Sequence, residues 1–339
     1  MSSKKGKLKI LFVRLSPSTF VQRDLKILKK HFDVKEIDFI LTRKEPKNTL
    51  KTILHMIKGI FWADLTFSWF ADYHAYWAVK LSKIFRKKSI VIVGGYEVAN
   101  IPEMNYGLLL NPKSAEKVKY IFENGNLILT VNDGLKMDAL NNLDIDGKNI
   151  ETLPTGYDHE EFKPYGKKED IVLTVSVGDN CERVKLKGIN TFIESAKFLP
   201  NTKFLVNGIT GEALEKLLKI SPSNVNFIPS LSQEDLIPFY QKSKVYCQLS
   251  IREGLPNALC EAMLCECIPI GTDIPGIKTA IGNTGFYVPY GDVKIAVESI
   301  RNALNCNNGK DARKRIIEMF PQNKREKILK EKLKKLAVS

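Results

Sequence analysis

Short apolar runs of strand type alternate with helical stretches along almost the whole chain. In the first half these runs extend from residues 8–13 to 149–154, with helical patterns such as 20–32 between them. A second series extends from 170–178 to 285–289. Such alternation is typical of a parallel sheet covered by helices on both faces. We therefore predict an α/β fold with two doubly wound parallel sheets.

The polar segment 155–170, which contains Pro and Gly, separates the two series and is the best candidate for a linker. The length of 339 residues suits two domains. We predict Rossmann-like domains over 1–160 and 161–320, followed by a basic segment at 321–339. Ligands of open α/β sheets bind beyond the carboxyl ends of strands, so functional residues are expected in the loops that follow strands.

The composition indicates a soluble globular protein, since 44% of residues are hydrophobic and 27% are charged. No apolar run reaches the roughly 18 residues of a membrane-spanning helix, and residues 8–13 indicate a first strand and not a signal peptide. The six cysteines show neither CxxC pairs nor metal-ligand spacing. We therefore expect a cytoplasmic location and no bound metal.

The net charge of +14 predicts an anionic partner, and much of the excess lies near the two ends of the chain. An anionic membrane surface, a phosphorylated substrate and nucleic acid all fit this charge, as does a solvated surface that only serves solubility. The chain shows no motif for binding RNA or DNA, so nucleic acid is not expected. No GxGxxG follows a strand, which disfavours a Rossmann dehydrogenase.

The segment 250–292 carries the most chemistry. Pro256 is placed to open a helix, whose N-terminal amides suit a phosphate. Glu253 in the preceding loop suits sugar hydroxyls and Glu261 in the helix suits a ribose diol, because charged acceptors form the stronger hydrogen bonds. Two glutamates eight residues apart are common, so this spacing alone also fits an ordinary strand–loop–helix.

The same segment resembles the signature of retaining GT-B glycosyltransferases of family 4, E-G-F-P-N-x-L-x-E-A-M-x-x-G-x-P-V-x-x-T. The matching residues are Glu253, Gly254, Pro256, Asn257, Leu259, Glu261, Ala262, Met263, Pro269 and Thr272. The resemblance implies the GT-B fold, in which two Rossmann-like domains face a cleft. It also implies that Glu253 contacts the transferred sugar and Glu261 the nucleotide ribose. The diphosphate would lie against the loop Gly254, Leu255, Pro256 and Asn257.

A second block, residues 177–199, is similar to the loop in which the family places an arginine and a Lys-Gly pair against the donor diphosphate. Lys187 matches this pattern, and Arg183 is the expected arginine, with Lys185 as a competitor. Fixed cations stabilise the charge that develops on the diphosphate as the sugar–phosphate bond breaks. Read without the resemblance, these residues would be solvated loop charges.

The resemblance implies that the acceptor binds the N-terminal domain. Glu97 follows a strand and is predicted to orient or deprotonate the acceptor hydroxyl, or to steady positive charge on the sugar. The alternative is a helix-capping or exposed glutamate. Asp72, His74 and Tyr96 are further candidates for the acceptor side, although Asp72 also suits a helix cap and His74 a packing role.

Two departures from the family pattern leave an alternative function open. Glu266 stands where the family has glycine after the helix, and Lys278-Thr279 replaces the proline and acid of a later G-x-P-E segment. These changes motivate a non-catalytic, glycosyltransferase-like protein that binds a nucleotide sugar.

A helical stretch at 46–62 carries apolar residues predicted to share one face. They are Leu50, Ile53, Leu54, Ile57, Ile60 and Phe61, with Lys47, Lys51 and Lys58 elsewhere. The pattern fits a membrane-surface helix, but packing against the sheet is favoured. The resemblance further implies that segment 321–339 is a helix that returns to the N-terminal domain.

Together these features predict a hexosyltransferase-type enzyme. It would move a sugar from a nucleotide diphosphate sugar to a hydroxyl of a glycan or lipid-linked glycan, with retained configuration. Cations and helix ends would neutralise the diphosphate, so no metal and no cofactor besides the donor substrate is expected. We expect the enzyme in the cytoplasm, with peripheral contact at the inner membrane face. The sequence does not specify the base, the sugar or the acceptor.

Overall fold

The computed structural model describes residues 7–15, 17–39 and 46–338, with side chains from residue 51 onward in the last range. The chain divides into two compact units. Unit 1 comprises Met1–Thr155 and Asn323–Ser339, and unit 2 comprises Gly156–Gln322. Each unit contains a sheet of six parallel strands, which confirms the prediction of two parallel α/β sheets.

The sheet of unit 1 has the strand order β2-β1-β3-β4-β5-β6. Its strands are β1 (Lys9–Arg14), β2 (Asp33–Asp38), β3 (Leu65–Trp69), β4 (Lys88–Val93), β5 (Leu127–Thr130) and β6 (Ile150–Thr152). Its helices are α1 (Thr19–His31), α2 (Pro46–Trp62), α3 (Tyr73–Ile84), α4 (Pro112–Asn124), α5 (Asp133–Leu143) and α14 (Gln322–Val338). Short 3-10 turns lie at Tyr96–Val98, Pro102–Met104 and Leu108–Leu110. Strands β3 and β5 are buried along their whole length, as expected for a sheet covered on both faces.

A buried ion pair fastens α14 to the rest of unit 1. Arg325 donates two hydrogen bonds to Asp24 of α1, at 2.7 and 2.6 Å, and two more to the carbonyls of Leu153 and Pro154. The indole of Trp69 donates to the same Asp24 carboxylate at 2.9 Å. Arg325 and Asp24 are 3% and 1% exposed, so the pair is held by the interior of the unit.

Helix α2 packs on the sheet through a narrower stripe than its sequence predicts. Met56 and Ile60 are buried in a cluster that includes strand β1, and Ile57 packs against that cluster. Leu54 and Phe61 are 50% and 60% exposed, so their predicted place on the packed face is wrong. The helix turns these two side chains away from the buried stripe. The side chains of Lys47 and Leu50 lie outside the described residues.

The sheet of unit 2 has the strand order β12-β11-β10-β7-β8-β9. Its strands are β7 (Glu169–Gly178), β8 (Lys203–Ile209), β9 (Val225–Ile228), β10 (Ser243–Gln248), β11 (Ile268–Thr272) and β12 (Phe286–Val288). Its helices are α6 (Cys181–Leu186), α7 (Ile189–Lys197), α8 (Gly211–Ile220), α9 (Gln233–Lys242), α10 (Asn257–Leu264), α11 (Pro275–Ile281), α12 (Val293–Asn305) and α13 (Gly309–Met319). Strands β7 and β10 are neighbours, so the loops that follow them leave the same edge of the sheet.

Candidate functional site

The loop before α7 and the loop after β10 are in direct contact within unit 2. The Ile251 N–H donates to the Leu186 carbonyl at 2.9 Å. Gly188 has a φ of +67°, and a Cβ added there would lie 2.0 Å from the Leu249 carbonyl oxygen. Only glycine fits this left-handed, crowded position. The close approach of the two loops places Lys187 beside the loop that carries Glu253.

Lys187 and Glu253, both predicted site residues, form an ion pair. The Lys187 Nζ atom lies 2.6 Å from Glu253 Oε1, and the side chains are 22% and 14% exposed. Gln248 at the end of β10 donates from its side-chain amide to the same oxygen at 3.1 Å, and the Tyr246 hydroxyl donates to the side-chain Oε1 of Gln248 at 3.2 Å. The buried strand β10 therefore orients the Glu253 carboxylate, which remains partly exposed to solvent and so accessible to a ligand.

Helix α10 supplies the second predicted carboxylate and an N-terminus that no side chain caps at Pro256. Glu261 is 4% exposed and accepts a hydrogen bond from Gln233 of α9 at 2.6 Å. The Tyr157 hydroxyl donates to the Asn257 side chain at 3.0 Å, which fixes the first residue of the helix. The Cys260 N–H bonds to the Pro256 carbonyl, and the amides of the preceding turn point out of the helix end. Such a terminus suits an anion.

The loop at Glu253 and Gly254 is packed against α11. A Cβ on Gly276 would lie 1.9 Å from the Gly254 carbonyl oxygen and 2.4 Å from that of Glu253. Glycine at position 276 therefore permits this close packing of the loop against α11, which a side chain would prevent. Lys278, two residues later, pairs with Asp273 at 2.5 Å on the surface.

Glu266, which stands in place of the family's glycine, retains a backbone typical of glycine. Its φ is +66°, in the left-handed region that side chains rarely adopt. A Cβ on Gly309 would meet the Glu266 carbonyl oxygen at 2.2 Å, so α13 packs closely on this turn. The departure in sequence therefore leaves the end of α10 in the conformation that glycine would favour.

Arg183 lies on α6 and is exposed. Its backbone N–H is bonded to the Asn180 side chain, and its carbonyl accepts the Lys187 N–H. Its guanidinium forms no ion pair within the described part of the chain, and it stands one helical turn before Lys187. Lys185 is also exposed, and its carbonyl accepts a hydrogen bond from the Tyr290 hydroxyl at 2.6 Å.

In unit 1 the Glu97 carboxylate is buried and turned toward backbone amides. It accepts hydrogen bonds from Gly94, Gly95 and Ala71 at 3.0, 2.7 and 3.2 Å, and it is 1% exposed. Burial raises the pKa of Glu97. The alternative of an exposed glutamate is therefore wrong. The carboxylate joins the loop after β4 to the loop after β3.

The other unit 1 candidates occupy separate settings. His74 is fully buried, donates from Nε2 to the Trp69 carbonyl at 2.6 Å, and has its pKa lowered by burial to about 4. Asp72 caps α3 by accepting the Tyr73 N–H at 2.6 Å. Tyr96 is 48% exposed. Of these three residues, Tyr96 is the most exposed to solvent.

Sequence reasoning missed three positioning residues, namely Gln248, Gln233 and Tyr157. Gln248 ends a strand, which is the place where the fold predicts functional side chains. Tyr157 lies in the segment 155–170 that was predicted as the linker. No signal marks Gln233, because its partner Glu261 lies 28 residues away.

Two further findings concern metals and membranes. Within the described ranges, no group of three or more His, Cys, Asp or Glu side chains is arranged to hold a metal ion. None of the described helices is long and apolar enough to cross a membrane.

Residues 158–322 match the family described as Glycosyl transferases group 1. The capsular polysaccharide biosynthesis glycosyltransferase CapM of Staphylococcus aureus is 32% identical over a match that covers 40% of this chain and 40% of that protein. The match thus spans well under half of the curated relative.

Solved structures are similar over nearly the whole chain. Sucrose-phosphate synthase from Thermosynechococcus elongatus superposes with a TM-score of 0.79 at 15% identity, covering 98% of this chain and 100% of that one. Anabaena HepE in complex with UDP gives a TM-score of 0.78 at 13% identity, covering 97% and 100%. The chain therefore has the GT-B glycosyltransferase fold, and its residues 158–322 match the family of group 1 glycosyl transferases.

Proposed function

We propose that this chain is an enzyme that transfers a hexose from a nucleotide diphosphate sugar to a hydroxyl of a glycan or lipid-linked glycan. The observation that carries the proposal is the Lys187–Glu253 pair at 2.6 Å. It places one cation and one carboxylate beside the N-terminus of α10, within a segment that matches a family of glycosyl transferases.

Each part of the donor has a matching group in unit 2. The diphosphate suits Lys187, the exposed Arg183 and the amides at the start of α10, because all three present positive charge or N–H donors. Glu261, held by Gln233, would accept the ribose hydroxyls. Glu253, held by Gln248, would accept hydroxyls of the transferred sugar.

The proposed reaction retains the anomeric configuration. The acceptor oxygen forms a bond to the anomeric carbon on the face that the diphosphate leaves, and the bond from that carbon to the phosphate oxygen breaks. The leaving phosphate takes the acceptor proton. Lys187 and Arg183 stabilise the charge that grows on the leaving group, so we propose that no metal is required.

A thermal-shift screen against UDP-, GDP- and ADP-sugars tests donor binding. UDP-sugars come first, because the similar HepE structure contains UDP. We expect stabilisation by one nucleotide class, and loss of that shift in Lys187→Met but not in the matched variant Lys197→Met, whose lysine pairs with Glu194 on the surface.

A transfer assay with the identified donor then tests catalysis. Glu253→Ala should lower turnover by at least about a hundredfold, and Glu212→Ala, an exposed glutamate of α8, should not. Turnover unchanged by a chelator supports metal independence, and inversion of configuration contradicts the proposed attack. Donor binding without transfer or hydrolysis would instead identify a non-catalytic nucleotide-sugar-binding protein.

We also propose a cytoplasmic location with peripheral contact at a membrane. Four free cysteines, at positions 247, 260, 265 and 267, are buried, which suits a reducing compartment. Fractionation of cells that express a tagged chain tests this, since recovery in an extracellular fraction would contradict it.

A further inference from the structure

We infer that an exposed face of unit 1 docks on the surface of an anionic lipid bilayer. This basic apolar face consists of Lys51, Leu54, Lys58 and Phe61 of α2 together with Ile84 and Arg86 at the end of α3. Lipid docking at this face requires no nucleotide sugar, so it stands independently of the proposed transfer reaction.

The apolar part of the face is exposed. Leu54, Phe61 and Ile84 are 50%, 60% and 62% exposed. Leu54 and Phe61 are seven residues apart, so they lie on one side of α2, two turns from each other. The Phe61 ring lies 4.4 Å from the Phe85 ring, measured between centroids, and Phe85 directly follows Ile84. The two helices thus contribute to one surface.

These side chains are not needed for the core, because each helix already buries another stripe. Met56 and Ile60 of α2 and Ala78 and Leu81 of α3 belong to one buried cluster with strand β1. The two helices therefore lie side by side on the same face of the sheet, and the exposed apolar residues point away from it. Large apolar side chains grouped at the surface in this way mark an interaction site.

The two segments that supply the face contain cations and no acidic residue. Segments 46–62 and 73–96 contain no Asp and no Glu, and the exposed Asp64 between them accepts the Lys9 backbone N–H at 2.8 Å. Lys51, Lys58 and Arg86 are exposed, and none of them forms an ion pair with a described residue. In contrast, the exposed Lys216 of α8 pairs with Glu212. A partner that meets this face must supply the negative charge.

An anionic bilayer fits both features together. Along α2 the side chains of Lys51, Leu54, Lys58 and Phe61 lie on one helical side, so cations flank the exposed apolar side chains. Lysines bind the headgroups while leucine and phenylalanine enter the acyl boundary. A nucleic acid backbone would satisfy the cations but leave the aliphatic Leu54 and Ile84 in water.

Flotation of the full-length chain with vesicles tests the inference. We expect binding to phosphatidylcholine vesicles that contain phosphatidylglycerol, and little binding to phosphatidylcholine alone. Each cation near such a surface contributes roughly fivefold to the partition constant. The triple variant Lys51→Gln, Lys58→Gln, Arg86→Gln should therefore bind roughly 100-fold more weakly, and Phe61→Ser about tenfold more weakly.

Matched controls come from exposed residues of unit 2. Lys203→Gln, Lys219→Gln, Lys310→Gln removes the same charge, and Phe198→Ser removes a phenylalanine that is 59% exposed. Both controls should retain vesicle binding, and all variants should unfold at the same temperature. Equal losses in the control and face variants would overturn the inference, as would no binding to anionic vesicles. Binding to RNA or to an acidic protein through this face, with no vesicle binding, would also overturn it.

Discussion

Replacing Arg325 with methionine removes the guanidinium that fastens α14 to unit 1. The guanidinium makes two hydrogen bonds to Asp24 and one each to the Leu153 and Pro154 carbonyls, between 2.6 and 2.9 Å. Methionine fills similar space and removes all four bonds. The Asp24 carboxylate, 1% exposed, then keeps the Trp69 N–H as a hydrogen-bond donor but has no cation beside it.

The expected loss follows from that uncompensated charge. Removing one partner of a buried ion pair costs about 3–5 kcal/mol in free energy of unfolding, because the remaining charge stays away from water. In the double variant Asp24→Asn, Arg325→Met no charge is left, and two unsatisfied carbonyls remain. Its loss should be smaller, about 1–3 kcal/mol.

Tryptophan fluorescence during urea unfolding measures this loss in unit 1 alone, since Trp62, Trp69 and Trp77 are the three tryptophans of the chain and all lie there. Lys327→Met, an exposed position on the same helix, serves as the control and should leave the midpoint unchanged. If the double variant is no more stable than Arg325→Met, the lost stability does not come from the unpaired, buried Asp24 carboxylate, and the reasoning is refuted.

Three further substitutions test other parts of the structure. Gly188→Ala should lower the free energy of unfolding by roughly 2–4 kcal/mol and abolish nucleotide binding, since its Cβ would meet the Leu249 carbonyl. Gly166→Ala, also at positive φ but in open space, should lower it less. Equal losses of the two variants in circular-dichroism melts would contradict the close contact at Gly188. Glu266→Gly should stabilise unit 2 by about 0.5–1 kcal/mol by relieving its left-handed φ, and a lower melting temperature would contradict this. Because burial raises the pKa of Glu97, the folded state binds more protons, and the stability of unit 1 should fall as pH rises from the ordinary glutamate value of about 4.3 through the raised pKa. Glu97→Gln should remove that fall in fluorescence-monitored urea titrations, and an unchanged pH slope would show that another group causes it.

The alternation of apolar runs and helical patterns predicts both sheets because parallel strands covered on both faces must be apolar along their length. Strands β3 and β5 show this directly, since every residue in them is buried. The same logic is weaker for helices. The period of α2 predicts an apolar stripe, but it does not reveal how wide a strip the sheet covers. Leu54 and Phe61 therefore fit the packed face in sequence and are exposed in the structure.

Charged side chains next to the backbone are harder to place from sequence. An acid that follows two glycines suggests an exposed loop, whereas Glu97 turns inward and accepts three backbone N–H groups. Glycines leave those amides accessible, and the loop needs an acceptor for them. The sequence shows that an acid and two glycines are present, but it does not predict that the loop folds so that the Glu97 carboxylate points inward.

The candidate donor site depends on contacts between distant parts of the sequence that only the topology brings together. Lys187 and Glu253 are 66 residues apart and follow β7 and β10, which are neighbours in the sheet. Neighbouring parallel strands bring their following loops to one edge, and Gly188 lets the Leu249 carbonyl come close enough for the ion pair to form. The motif predicts which side chains are present, and the strand order explains why a cation from one loop meets a carboxylate from the other. The proposed sugar diphosphate site in unit 2 therefore depends on the neighbouring strands β10 and β7 as much as on the two glutamates.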